Sequence, residues 1–214
     1  MKNVEALPRT QEAKFAMNLA SRVEEPKGYS IRGDVFLELR DGATGVIQDT
    51  REVRNIVTLD ASILLARLMK SNSEPSFGAF CLAIGTGDVG WNLLSPPAAT
   101  NTQRALYAEL SRKTFSNTQF IDGTGVPVAY PTNIVDFTTI LTESEAVGPL
   151  VEMGILGGSI SSNLSIRNPV SPPNGPRDTT VDLTTRETLV NYLTFGVIVK
   201  PPTSTLSITW RLTF

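Results

Sequence analysis

The sequence predicts a mainly β protein: an antiparallel β-sandwich, jelly-roll-like, with one packed α-helix and an N-terminal arm. The 214 residues include 16 glycines and 14 prolines. These turn formers are spread along the chain with β-branched residues between them, as is typical of many short strands. Residues 205–214 alternate strictly between apolar and polar side chains, which indicates a half-buried strand. Few helical segments separate the strands, so a doubly wound parallel sheet is disfavoured.

Residues 1–30 differ from the rest and predict a helical or extended arm ahead of a sandwich domain over residues 31–214. Phe15, Leu19 and Val23 recur every fourth residue, a spacing that places them on one face of a helix. This apolar stripe needs a surface to cover it. Its own domain is one candidate, and a neighbouring subunit, bound by an assembly arm, is the other.

The first elements of the sandwich follow from alternation and turn residues. Residues 34–40 alternate and predict a strand, and residues 41–45 (DGATG) predict a tight turn with glycine available for positive φ. Residues 46–57 predict the return strand, which is polar enough to be an edge strand or a solvated ribbon. Thr58 is then placed to cap the helix over residues 59–70.

That helix is the clearest in the sequence. Asp60 lies in its first turn and Lys70 in its last, as the helix dipole favours. Its wide apolar surface predicts packing against a sheet and comprises Ile63, Leu64, Leu65, Leu68 and Met69.

The remaining pattern brings the predicted total to about eight strands. The predicted strands are residues 79–84, 113–121, 133–142, 150–156, 188–200 and 205–214, with long loops at 85–102 and 157–186 and a short helix at 103–112. In the last strand the side chains expected to point inward are Leu206, Ile208, Trp210, Leu212 and Phe214.

The composition excludes several classes of function. The chain has no histidine, one cysteine and a formal net charge of −2. Serine or cysteine triads that use histidine, histidine metal sites, iron–sulfur clusters and disulfide frameworks are therefore excluded. The balanced charge argues against nucleic-acid binding. No apolar run suits a signal peptide or a membrane span, so we expect neither secretion nor membrane insertion. Cys81, within an apolar run, is expected to be buried.

Two motifs that could indicate a cofactor-binding or catalytic site have simpler interpretations. Residues 85–90 match G-x-G-x-x-G, but residues 91–94 run into Pro96 and Pro97, which leaves no room for a phosphate-binding helix. This motif is interpreted as a glycine-rich turn between strands. Glu143 and Glu145 alternate at a strand end and are expected to be solvated. No catalytic, cofactor-binding or metal-binding residue is predicted.

Trp91 lies in the glycine-rich loop and has two open interpretations. An exposed tryptophan there would be an interface anchor, whereas one packed on its own sandwich would be part of the core. With Phe15, Leu19 and Val23, it completes the set of candidate interaction residues.

Four stretches, taken in order, resemble motifs of tailed-bacteriophage virion structural proteins. Residues 151–158 are similar to the E-x-G-[IL]-[FL]-G-G strand of those proteins, and residues 206–214 are similar to their closing L-x-I-T-W-x-L-T-F. Together the stretches span about residues 32–214, so the arm lies outside the resemblance. The full set is 37–45 (LELRDGATG) leading into 54–58 and ILLARLM, 82–87 (LAIGTG) followed by 108–113, 151–158 (VEMGILGG), and 206–214 (LSITWRLTF).

The resemblance implies a non-enzymatic component of the virion, assembled in the host cytoplasm, with no catalytic residue to carry over. We expect a symmetric homo-oligomer, a trimer or hexamer, that contacts other virion proteins, with a tail, baseplate or neck position favoured. A capsid decoration (cement) protein is the alternative within this class. A carbohydrate-binding module that uses Trp91 is the alternative from another class.

Overall fold

The structure, a computed structural model, describes residues 31–70, 77–158 and 187–214. The predicted arm, with Phe15, Leu19 and Val23, lies outside these residues. The described part contains eleven strands and one helix rather than eight strands and two helices. The elements are β1 Arg32–Asp41, β2 Ile47–Arg54, β3 Ile56–Val57, α1 Leu59–Lys70, β4 Phe77–Gly85, β5 Glu109–Thr114, β6 Asn117–Ile121, β7 Pro127–Val128, β8 Ile134–Leu141, β9 Gly148–Gly158, β10 Glu187–Lys200 and β11 Ser204–Thr213.

The strands form two antiparallel sheets packed face to face, so the predicted β-sandwich with one helix is confirmed. The six-stranded sheet has the order β2-β1-β11-β8-β6-β7, and the five-stranded sheet has the order β3-β10-β9-β4-β5. Consecutive strands such as β8 and β9, or β10 and β11, lie in different sheets, so the chain crosses repeatedly between the layers. Apolar side chains from both sheets fill the space between them.

The alternation of β11 places four of the five predicted side chains in this core. Leu206, Ile208, Trp210 and Leu212 are buried, and the residues between them are partly exposed. The prediction is wrong for Phe214, whose side chain is 43% exposed. Phe214 lies one residue beyond β11, at the rim of the apolar cavity beside α1.

The predicted return strand at 46–57 is two strands in different sheets. The amide of Asn55 donates to the carbonyl of Gly33 (3.1 Å) and ends the pairing of β2 with β1. Residues Ile56 and Val57 then pair with β10 in the other sheet. The prediction that this segment is an edge holds, because β2 and β3 are the terminal strands of their sheets.

Helix α1 begins where Thr58 caps it, as predicted. The Thr58 hydroxyl accepts a hydrogen bond from the amide of Ala61 (3.2 Å). Ala61 and Leu64 are buried against the sheets. The predicted apolar face is too wide, however, because Ile63 and Met69 are exposed, at 42% and 89%. No helix among the described residues is long and apolar enough to cross a membrane.

Two predictions between residues 103 and 121 are wrong. The expected helix at 103–112 is an irregular segment followed by β5, because the amides of residues 107 and 108 turn toward a buried carboxylate described below. The expected single strand at 113–121 is split between β5 and β6, which lie in different sheets. A crossing between the layers at residues 115–116 leaves no signature in the alternation.

Candidate functional site

Residues 86–108 form a long loop, the covering loop, over the outer face of the five-stranded sheet. That face carries a second apolar cluster, separate from the core between the sheets. Leu106 of the loop is buried in this cluster, and Ala99 and Tyr107 pack against it. Its sheet residues are Cys81, Ala83, Leu156, Leu189 and Tyr192. Strand β9 is therefore covered on both faces, which explains why its residues from Leu150 to Gly158 are all buried. The predicted burial of Cys81 is confirmed.

The covering loop is held by the side chain of Glu152, which is fully buried in β9. Oε1 accepts hydrogen bonds from the amides of Gly87 (3.2 Å) and Ala108 (2.8 Å). Oε2 accepts from the amide of Tyr107 (2.9 Å) and from the hydroxyl of Tyr192 (2.8 Å). A single carboxyl group thereby joins both ends of the loop to β9 and β10.

The surroundings of Glu152 act on its proton affinity in opposite directions. Burial raises the pKa of the carboxyl above its usual range, and this effect outweighs the hydrogen bonds, which favour the charged form. Burial and the adjacent Glu152 also raise the pKa of Tyr192, so the phenol keeps its proton and remains a donor. Glu152 is thus a structural anchor for the loop and has a shifted pKa. Shifted pKa values also occur in structural networks of ionisable groups that have no catalytic role.

Two glycines of the sequence motif 82–87 make this anchor possible. A Cβ on Gly85 would lie 2.6 Å from Oε1 of Glu152, and one on Gly87 would lie 2.5 Å from Cε3 of Trp91. Gly87 also has φ of +70°, a conformation that L side chains rarely adopt. The interpretation of residues 85–90 as a glycine-rich turn agrees with the structure, in which no helix follows them before the Pro96–Pro97 segment.

Further contacts fix the rest of the covering loop. The carbonyl of Leu93 accepts from the amide of Val197 (2.8 Å), and the carbonyl of Pro97 accepts from the hydroxyl of Thr194 (2.7 Å). At the far end, Nη2 of Arg104 lies 3.2 Å from Oδ1 of the buried Asp60 in α1. The loop is therefore attached to β10 and to the helix as well as to Glu152.

Trp91 is half-buried within this loop. Its ring packs edge-on against Tyr107, with the ring centroids 4.8 Å apart and the planes inclined at 62°. Its neighbours are far more accessible, since Val89 is fully exposed and Leu94 is 81% exposed. The loop therefore presents apolar side chains to solvent from a backbone that is fixed at several points.

The outer face of the six-stranded sheet is a second, polar surface. Asp136, buried on β8, binds Arg211 on β11 through two hydrogen bonds of 2.8 Å each. The guanidinium of Arg211 also lies 5.8 Å from the ring centroid of Phe36. The hydrogen bonds that Arg211 donates to the carboxylate of Asp136 raise the pKa of the guanidinium, which stays charged.

Sequence reasoning missed Glu152, although the sequence contains a signal for it. A glutamate inside the apolar run LVEMGIL is unusual, because a buried carboxyl needs hydrogen-bond donors to offset its loss of hydration. The expectation that Glu145 is solvated is also wrong. Its carboxylate lies 2.6 Å from Nζ of Lys113 and is largely buried. Among the described residues, no group of three or more acidic or cysteine side chains could hold a metal ion.

No family model matches the chain, and no curated protein matches it significantly.

Proposed function

We propose that this protein is a non-enzymatic structural component of a tailed-phage virion. In this proposal it assembles as a symmetric homo-oligomer and uses its loops to contact other virion proteins. Assembly takes place in the host cytoplasm. A position in the tail, baseplate or neck is favoured, and capsid decoration is the alternative.

The observation that supports this proposal best is the placement of the motifs that carry the resemblance. Residues 82–85 end β4, and residues 86 and 87 begin the covering loop. Residues 151–158 lie on the adjacent β9, and residues 108–113 begin where the covering loop enters β5. Glu152 and the glycines at 85 and 87 meet there and fix the loop. The residues that carry the resemblance therefore fix the conformation of a surface loop, as expected of a protein whose role is to bind other proteins.

The covering loop also has the properties of a contact surface. Its exposed apolar residues, Val89 and Leu94, lie on a backbone pinned by the contacts of Glu152 and Leu93. A preorganised apolar loop loses little conformational entropy when it binds, which favours permanent assembly.

Mass spectrometry of purified virus particles tests the proposal. The expected result is detection of this chain in the particle at a fixed copy number that is a multiple of a small symmetry number. Absence from purified particles of a virus that produces the chain in infected cells would overturn it.

Deletion of residues 1–28 separates the two positions within the virion. A decoration protein that uses its arm would lose binding to assembled capsids, whereas a tail component would lose incorporation into tails. The full chain is the control in both assays, and a cooperative thermal unfolding transition in the deletion variant checks that its sandwich is folded.

Carbohydrate binding is the second candidate function, because part of the Trp91 ring remains accessible on a β-sandwich loop. Binding to a glycan array that is lost in Trp91→Ala but kept in Leu94→Ala would favour it. A native protein that binds no glycan on the array would exclude this candidate for the glycans present.

A further inference from the structure

Strand β2 is the most open sheet edge that the structure describes. It is eight residues long and contains neither proline nor glycine. Among the described residues it pairs only with β1. The other terminal strands are less suited to further pairing. Strands β3 and β7 have two residues each, and β7 begins with Pro127. Strand β5 has six residues, of which Ser111 and Arg112 are buried. An edge of this length offers unpaired backbone groups to another strand.

The pairing of β2 with β1 shows which backbone groups point outward. The amide of Asn55 donates to the carbonyl of Gly33, so this pair is a hydrogen-bonded one. Such pairs recur at every second residue in an antiparallel ladder. The backbone amides and carbonyls of Asp49, Arg51 and Val53 therefore point toward β1 and are hydrogen-bonded to it. The amides and carbonyls of Thr50 and Glu52 therefore point away from β1.

We propose that two copies of this chain join through β2, paired antiparallel with Thr50 on the two-fold axis. In this register Thr50 faces Thr50 of the second copy as a hydrogen-bonded pair. Asp49 of each copy faces Arg51 of the other. Gln48 lies in the bulge of β2, where its side chain accepts from the hydroxyl of Ser204, and is outside the regular pairing. The two six-stranded sheets become one continuous twelve-stranded sheet, and the contact is isologous.

The charges of β2 favour this register over its neighbours. Moving the axis to residue 49 sets two aspartates opposite each other, moving it to residue 51 sets two arginines together, and moving it to residue 52 sets two glutamates together. Like charges directly opposite in a sheet are destabilising, and opposite charges are stabilising. Asp49 and Arg51 lie 2.8 Å apart within one chain. Arg51 also donates to the carbonyls of Gly196 and Val197 in β10. Both side chains keep about one-third of their surface exposed, through which they can face the second copy.

This inference rests on the proposed homo-oligomer and specifies one of its contacts. A two-fold contact produces a dimer, or a hexamer when a three-fold contact is added, but it does not produce an isolated trimer. It is independent of where in a virion the protein resides. Its test therefore uses the purified chain, and its failure would leave the particle test above unaffected.

The first experiment is disulfide trapping with the variant Thr50→Cys. Opposite residues of a hydrogen-bonded pair have Cα atoms about 5.5 Å apart, which suits a disulfide. The native Cys81 is buried, so the introduced thiol is the exposed one. Mild oxidation should convert Thr50→Cys to a covalent dimer much faster than Thr118→Cys, another exposed threonine of the same sheet, which lies on β6 away from the proposed axis. Equal rates for the two variants would overturn the proposal.

The second experiment measures mass in solution by light scattering. The native chain is expected to have an even number of subunits, and Thr50→Pro is expected to halve that number because proline lacks the outward amide. Thr50→Val keeps the amide and should keep the native mass. A monomeric or trimeric native chain, or a folded Thr50→Pro variant with native mass, would overturn the proposal. If Thr50→Pro fails to fold, the trapping rates decide.

Discussion

The hydroxyl of Tyr192 on β10 lies 2.8 Å from Oε2 of Glu152 on the neighbouring strand β9, and both side chains are buried. The same carboxyl binds backbone amides from residues 87, 107 and 108. Two strands and both ends of the covering loop are thus linked through one side chain. Neutral Glu152 can keep the contact with Tyr192 by donating to its oxygen, because a phenol oxygen also accepts hydrogen bonds.

We expect Glu152→Gln to lower the free energy of unfolding by about 1–3 kcal/mol. The amide nitrogen of glutamine cannot accept, so at least one of the four donors loses its partner in a buried position. Chemical denaturation of the purified chain measures the loss. Asp88→Asn at an exposed position of the covering loop is the matched control and should change stability little.

The loss caused by Glu152→Gln should also depend on pH. Because the pKa of Glu152 is raised in the folded chain, the folded state binds this proton more tightly than the unfolded state does. The stability contributed by this group is therefore complete below the ordinary carboxyl range and is lost as pH rises through the raised pKa. Denaturation at several values from about pH 4 to about pH 8 should show the difference between native and variant shrinking. A difference that grows with pH would mean that the pKa is lowered instead.

Gly87→Ala is expected to destabilise the chain by about 1–3 kcal/mol, since it combines an unfavourable backbone conformation with a collision. The added Cβ would lie 2.5 Å from Trp91 and 2.7 Å from Val151. Gly90→Ala, three residues away with nothing within 4 Å of its Cβ position, is the control and should be close to neutral. Thermal unfolding and tryptophan fluorescence together report the loss and its location. Equal midpoints for the two variants would contradict the role assigned to Gly87.

Asp136→Ala should cost about 2 kcal/mol, because it removes both hydrogen bonds to the charged Arg211. The control is Arg54→Ala on the same sheet. Arg54 is 93% exposed and its nitrogen lies 3.9 Å from Asp34, so its loss should change stability by less than about 0.5 kcal/mol. Urea midpoints of the two variants give the comparison, and similar values would refute it.

Asn191→Leu is expected to stabilise the chain or leave its stability unchanged. Asn191 is fully buried and neither polar atom of its side chain has a hydrogen-bond partner among the described residues. The residue also lines an apolar cavity of about 150 Å³ between α1 and the sheets, which has room for the altered side chain. A buried amide without partners costs about 1–3 kcal/mol, so its replacement recovers part of that energy. Asn117→Leu on exposed β6 controls for strand propensity, and a clear loss of stability in Asn191→Leu alone would contradict the prediction.

Local patterns were sufficient to predict the sandwich, the capped helix and the last strand. In β11 the alternation of apolar and polar residues in the sequence shows which face of the strand is buried. Thr58 directly precedes α1, as expected of a capping residue. Local patterns failed where long-range partners decide the conformation. The sequence around residues 107–108 is compatible with a helix. The structure differs because these two amides donate to Glu152, which lies some 45 residues later in the chain. The division of residues 46–57 likewise depends on β10, which lies more than 130 residues further along the chain.

The candidate site was predicted only in part. The sequence showed a glycine-rich turn with a tryptophan, and the structure places both in the covering loop. The buried acid beneath them was missed because Glu152 looks like any strand residue until its four donors converge. These donors come from three separate segments, so no spacing in the sequence relates them.

The position of β11 constrains the order in which the molecule can form. Strands β1 and β2 meet strands β6, β7 and β8 only through β11, which is built from residues 204–213. During synthesis the two parts of the six-stranded sheet therefore remain unjoined until almost the whole described chain has left the ribosome. Pairing at such long sequence separation makes folding slow. Until β11 is in place, the inner edges of β1 and β8 are exposed to pairing with other newly made copies.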